Sequence, residues 1–376
     1  MILKVDRLTL REIRMPLREP FAISSGMMHE RRICLLQLRH VEGLVAWAEC
    51  VADEMPNYSP ETIDTAWLAI KEWIAPRVLG KTFNGPEEVF AALEENFRGH
   101  RMAKAAVEMG TWELAAQLQR TPLAKLLGGT RASIATGISL GIQKNPMTLA
   151  QRAKAAHAEG YRKIKIKIKP GADVEYVRAV REALGAEAHL MADANNAYSL
   201  SDLAIFKQLD GFNLLMIEQP LAWDDVVKHA TLQAQLKTPL CLDESITGLD
   251  KAEDMIALGS GRIINIKPGR VGGFSSSKAI HDFCMQHKIP VWCGGMLESG
   301  IGRAHNVALA SLPNFVLPGD LSPSARYWEQ DIVTPEWTMD AQGMVKVPFE
   351  TPGMGVTVNL DRIDNLTVRS ETLAAH

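Results

Sequence analysis

The chain has 376 residues, 47% of them hydrophobic and 23% charged, with a formal net charge of −3. That is enough apolar material for a large core, and near-neutral charge without long runs of one sign argues against nucleic-acid or membrane-surface partners. The five cysteines (Cys34, Cys50, Cys241, Cys284, Cys293) show no CxxC spacing, so neither a disulfide framework nor a zinc ribbon is indicated.

The N-terminal stretch MILKVDRLTLREIRMPL alternates apolar and polar residues like a strand and lacks the apolar run of a signal peptide. No segment approaches 18 apolar residues, so a cytoplasmic protein is expected. Residues 1–130 read as an α+β lobe. Strands are expected in LKVDRLTLREIRM, RRICLLQLRH and LVAWAEC, followed by helices from SPETIDTAWLAIKEWIAPRVLG to EMGTWELAAQLQ.

From residue 131 to 322 the pattern becomes a repeating strand, loop and helix. Eight strands are expected, at 133–140, 163–168, 189–194, 214–219, 239–244, 262–267, 290–295 and 315–320, with helix-like segments such as NPMTLAQRAKAAHAEG and SSSKAIHDFCMQHK between them. This α/β series predicts a (β/α)8-type barrel, a modified TIM barrel, with the first lobe as a capping domain. Residues 323–376, where RYWEQDIV and EWTMDAQGMVKV look strand-like, are expected to return to that lobe.

The second barrel strand carries RKIKIKIKP. Side chains alternate along a strand, so Lys163, Lys165, Lys167 and Lys169 share one face and Ile164, Ile166 and Ile168 the other. A barrel's outer face must be apolar against its helices, which places the isoleucines outside and the lysines inside. Charged residues then recur at strand ends: Lys167, Asp193, Glu218, Asp243 and Lys267, separated by 26, 25, 25 and 24 residues. One such group per βα unit puts all five at the C-terminal mouth, where barrels of this type carry their chemistry. Asp193, Glu218 and Asp243 converge from adjacent strands, and three hard anionic ligands suit Mg2+ or Mn2+. Lys167 and Lys267 flank them from opposite sides. Desolvation and the neighbouring Lys165 ammonium are expected to lower the basicity of Lys167 toward general-base range. Such a site suits removal of a proton alpha to a carboxylate, the cation offsetting the enolate charge.

The motifs KIK (165–167), DANNAY (193–198), IEQPLAWDD (217–225), CLDES (241–245), NIKPGRVGG (265–273), WCGGMLESGIGRAHN (292–306) and LPGDLSPSARYW (317–328) resemble the enolase superfamily. They most resemble its muconate-lactonizing subgroup and the o-succinylbenzoate synthase / N-succinylamino (N-acylamino) acid racemase family. The resemblance implies Asp193, Glu218 and Asp243 as metal ligands, Lys167 and Lys267 as the acid/base pair, and Lys165 and Asn195 as aids to carboxylate binding. It further implies Ser139, Met296 and Phe21 as pocket residues, loops around FAISSG (21–26) and VADEMPNY (51–58) closing over substrate, and Arg270 as the arginine that accompanies racemization. The implied partner is a small-molecule carboxylate, and a homo-oligomer is expected. GDLS at 319–322, in place of DxD, disfavours a dipeptide epimerase, and the absence of a His-Asp dyad argues against a mandelate racemase type. A muconate cycloisomerase is the alternative within the superfamily. Outside it stand a Schiff-base aldolase on Lys267 and a metal-holding scaffold without turnover, which the intact lysine pair disfavours. No Walker A or dinucleotide fingerprint occurs, so nucleotide cofactors are not expected.

Overall fold

The computed structural model describes residues 2–23 and 26–375. The first lobe is built on a sheet of β1 (Val5–Ile23), β2 (Gly26–His40) and β3 (Val45–Cys50), paired antiparallel in that order. The helix Arg101–Leu118 lies across it. Leu36, Leu38, Ala46 and Ala48 meet Ala103, Ala106, Val107 and Ala115 in one core. Small residues on the helix allow the close approach: a Cβ on Gly110 would stand 2.6 Å from Leu38 Cδ1.

The stretch expected as one strand over 133–140 is broken at Thr136. β4 (Ser133–Ala135) leaves the barrel, whereas β5 (Gly137–Leu140) enters it. β6 (Lys163–Lys167), β7 (Leu190–Asp193), β8 (Ile217–Glu218), β9 (Leu240–Leu242), β10 (Ile263–Ile266) and β11 (Val291–Cys293) follow in parallel, each beside its predecessor. Ile164, Ile166 and Ile168 pack outward with Leu149, Ala153, Val177 and Val180 of the surrounding helices. A small inner cluster of Met191, Met216, Cys241, Ile263 and Trp292 fills the floor.

The expected eighth strand does not form. Pro318 removes a donor and residues 315–320 run irregularly. Closure is still achieved by backbone bonds to both neighbours: Gly137 N to Gly319 O at 2.6 Å on one side, and Asp320 N to Cys293 O at 2.9 Å on the other.

The terminal 54 residues divide between the lobes. β12 (Val333–Thr334), β13 (Met344–Lys346) and β14 (Thr357–Val358) stay on the barrel side, with β13 pairing β4 and the Trp337 indole donating to Gly300 O at 2.9 Å. β15 (Thr367–Ala374) adds to β1 as the edge of the first sheet, and the first lobe is also met before it: Arg18 N donates to Tyr327 O at 2.9 Å and Gly353 N to Thr121 O at 2.9 Å. The apolar residues 332, 333, 337, 345 and 347 are what hold the earlier part down: all are buried in a core that joins barrel residues such as Ile264 and Val291 to Ile13, Met15 and Trp47 of the first lobe.

Candidate active site

Inward-facing residues of consecutive strands meet at the C-terminal mouth. Strand pairing sets Lys167 beside Asp193 and Asp193 beside Glu218. Asp243 and Lys267 follow the last residues of β9 and β10. Between β6 and β10 lie β7, β8 and β9 on one arc and β11, the 315–320 segment and β5 on the other. Lys167 and Lys267 therefore stand across the mouth from one another.

Each lysine grips one carboxylate and one neutral oxygen. Lys167 Nζ donates to Asp193 Oδ2 at 2.6 Å and Asn195 Oδ1 at 2.7 Å. Lys267 Nζ donates to Asp243 Oδ2 at 2.8 Å and to the Tyr58 hydroxyl at 3.1 Å. Arg270 also reaches Asp243, and its Nε donates to Ile246 O at 2.7 Å. Asn265 Nδ2 donates to Glu218 Oε1 at 2.7 Å, while Lys165 Nζ lies 3.3 Å from Glu218 Oε2. Behind them Lys165 pairs with Asp320 at 2.5 Å. Lys163 lies 3.4 Å from the other Asp320 oxygen and 3.4 Å from the Trp292 ring centre.

Asp193, Glu218, Asp243, Glu244 and Asp320 thus face Lys163, Lys165, Lys167, Lys267 and Arg270, every one of them less than a tenth exposed. Charges this deep are stable only when paired. Burial opposes ionisation of Asp193, but Lys167 and Lys165 outweigh it and hold the carboxyl below the usual range. At Glu218, burial and the adjacent Asp193 raise it. Burial would lower Lys267 and Lys165, yet the anionic groups around each raise them, whereas Lys163, sunk against Trp292, is lowered by burial. Lys165 is accordingly a counter-ion of Asp320, Glu218 and Asp193.

Among the described residues no three acidic, histidine or cysteine side chains already converge as a metal cage. The three expected ligands are each turned to a cationic side chain, as the pairs above require. Their chemistry nevertheless fits a hard divalent ion: adjacent strand ends present anionic oxygens whose present partners are flexible lysine and arginine tips.

Above the mouth, a cavity of about 490 Å³ lies between the lobes, lined by Met28, Arg31, Met55 and Tyr58 from the first lobe and by Asn195 and Trp223 from the barrel. The 51–58 loop forms part of this roof. Of the other expected loop, residues 24–25 lie outside the described residues. Phe21 borders a separate recess with Leu140 and Arg152. Ser139 sits beside Lys165 on the inner face, its hydroxyl buried without a hydrogen-bond partner among the described residues. Met296 packs with the first lobe's core and, with Lys267, borders a small void. Asn195 and Asn196, two and three residues after Asp193, and Gln219, next after Glu218, have φ of 40°, 63° and 38°. Such backbone is costly for non-glycine residues and is found where a site over-determines it.

Asp320, Tyr58, Glu244, Asn265 and Trp292 were not singled out in the sequence. Asn265 and Trp292 carried a usable signal, because both occupy inward positions of expected strands.

Residues 148–362 match the family described as enolase C-terminal domain-like, and residues 6–128 match the mandelate racemase / muconate lactonizing enzyme, N-terminal domain. The chain is 46% identical over 370 residues to the o-succinylbenzoate synthase of Geobacillus kaustophilus, covering 98% of this chain and 97% of that one. It is 45% identical over 374 residues to the N-succinylamino acid racemase of Thermus thermophilus, covering 99% and 100%. A solved enolase-superfamily member from Listeria innocua superposes with a TM-score of 0.96 at 41% identity, covering all of both chains.

Proposed function

The chain belongs to the enolase superfamily, in its mandelate racemase / muconate lactonizing enzyme family, and from that premise we propose that it removes the proton alpha to a substrate carboxylate, acting as an N-succinylamino acid racemase and an o-succinylbenzoate synthase. The observation that carries the reading is the placement of two buried lysines across the mouth with three carboxylates on the arc between them. A proton can then leave from one face and return to the other, as racemization requires. Syn dehydration uses one face only. Lys167 there serves as base and then acid, and Lys267 contributes its charge.

Asp193, Glu218 and Asp243 would hold a divalent cation, which supplies positive charge for the carboxylate and its enolate. The remaining steps belong to the chain. Lys165, fixed by Asp320, presents a permanent positive charge beneath the reacting carboxylate. Asn195 and Tyr58 aim the two ammonium groups. Met28, Met55 and Trp223 supply apolar surface to the cavity above the mouth. A small carboxylate as partner, a homo-oligomeric state and a cytoplasmic location complete the proposal; among the described residues no helix is long and apolar enough to cross a membrane.

The test is alpha-proton exchange in deuterated solvent, followed by NMR for each enantiomer of an N-succinylamino acid with Mg2+ or Mn2+ supplied, alongside formation of o-succinylbenzoate from its precursor. Lys267→Arg keeps the charge but is a poor base, so it should retain exchange for one enantiomer and lose racemization. Near wild-type racemization by that variant, or full turnover after exhaustive chelation, would overturn the assignment.

A further inference from the structure

We infer that Tyr58, on the first lobe, is the positioning residue of Lys267, so that one of the two proton-transfer groups is assembled only when the lobes are docked. The inference rests on the two-lysine reading above and adds to it a residue and an asymmetry. The two lysines are held alike but from different places. Asn195, which accepts from Lys167 at 2.7 Å, belongs to the barrel, two residues after Asp193. The matching oxygen for Lys267 comes from the other lobe, from a segment that follows β3.

The Tyr58 hydroxyl sits at a junction. It accepts from Lys267 Nζ at 3.1 Å and from Arg270 at 3.0 Å, and it donates to Asp243 Oδ1 at 2.9 Å. The Lys267 ammonium also lies 4.4 Å from the centre of the tyrosine ring, a cation–π contact. A lysine side chain has four rotatable bonds, and two converging acceptors in addition to the ring leave it little choice of direction. Without the phenol, Asp243 and Arg270 remain but no neutral oxygen aims Lys267, whereas Lys167 keeps both of its partners. Tyr58 also borders both the 490 Å³ cavity and a second one of about 190 Å³, as do Trp223 and Glu244.

The consequence is a face-selective effect. Tyr58→Phe removes one oxygen and keeps the ring. In deuterated solvent with Mg2+ supplied, exchange of the enantiomer whose alpha proton faces Lys267 should fall at least tenfold, with a clearly smaller fall for the opposite hand. Lys167→Ala identifies that enantiomer, since only the hand facing Lys267 still exchanges in it. Asn195→Leu should shift the ratio of the two exchange rates the other way. Circular dichroism and the denaturation midpoint check that each variant is folded. An equal fall for both hands would mean that Tyr58 acts through Asp243 or through lobe docking in general, and would overturn the inference while leaving the two-lysine reading intact. An unchanged ratio would overturn it as well. Absence of exchange for either hand in the unaltered protein would instead remove the proposed function itself, and the inference with it.

Discussion

Glu108, in the middle of the helix Arg101–Leu118, is fully buried where the lobes meet and serves the N-terminus of the barrel helix Phe274–Gln286. One oxygen accepts from Phe274 N at 2.7 Å; the other accepts from Ser275 N at 2.9 Å, Ser275 Oγ at 2.6 Å and the Trp112 indole at 2.7 Å. Burial nevertheless pushes this carboxyl up to about 7, against those donors. The sign follows directly: between its ordinary value near 4.5 and about 7 the unfolded chain releases a proton that the folded chain keeps, so stability falls as pH rises through that window and is level above it. The loss amounts to about 3 kcal/mol at 1.36 kcal/mol per pH unit. Glu108→Gln has no such dependence. Its amide nitrogen would face a backbone donor, which costs about 1–3 kcal/mol for an orphaned buried group. Guanidinium denaturation of both proteins at pH 5 and pH 8 should therefore show the Glu108→Gln variant weaker at pH 5, with the gap closing by roughly 2–3 kcal/mol at pH 8; other titrating groups cancel in the difference. A gap that stays constant or widens would show that four donors keep the carboxylate ionised throughout, and the reasoning from burial would fail.

Glu218→Gln should weaken Mg2+ binding at least tenfold by isothermal titration, because it removes one of the three anionic donors without changing shape. Gly294→Ala would place a Cβ 2.7 Å from Lys267 Cε and 2.3 Å from Asn265 Oδ1; exchange of the hand facing Lys267 should drop by one to two orders of magnitude, with thermal denaturation checking that the fold survives.

The charged register was readable because each βα unit spends about the same number of residues on a strand, a helix and two turns, so residues 24 to 26 apart return to the same end of the barrel. The lysine file was readable because alternation in a strand leaves only two faces. Asp320 was not, since 315–320 is no strand and offers no alternation from which to place a side chain inside. Tyr58 belongs to an irregular segment of the first lobe, whose approach to the mouth depends on how two separate cores dock. For residues 323–358 short alternating stretches show that a segment pairs, but not with which sheet: β13 pairs β4, while Tyr327 and Gly353 bond to the first lobe.

The balance of charge at the mouth constrains how such a site can work. Burial favours the uncharged forms of Glu244 and Lys163; the remaining four carboxylates and four cationic groups balance, and low-dielectric surroundings penalise any net excess heavily. A divalent cation alone would leave the mouth with two positive charges too many. One substrate carboxylate removes the first, and the second disappears if one ammonium group gives up its proton. The neutral arrangement with both cation and substrate in place is therefore the one holding a single uncharged lysine opposite a charged one, a base facing an acid. Proton removal from the alpha carbon then moves charge within the mouth without changing its total. In the proposed two-lysine mechanism the uncharged position passes from one lysine to the other as the carbon inverts, so replacing either lysine by a permanently charged or permanently neutral side chain should abolish racemization in both directions while sparing exchange of one hand.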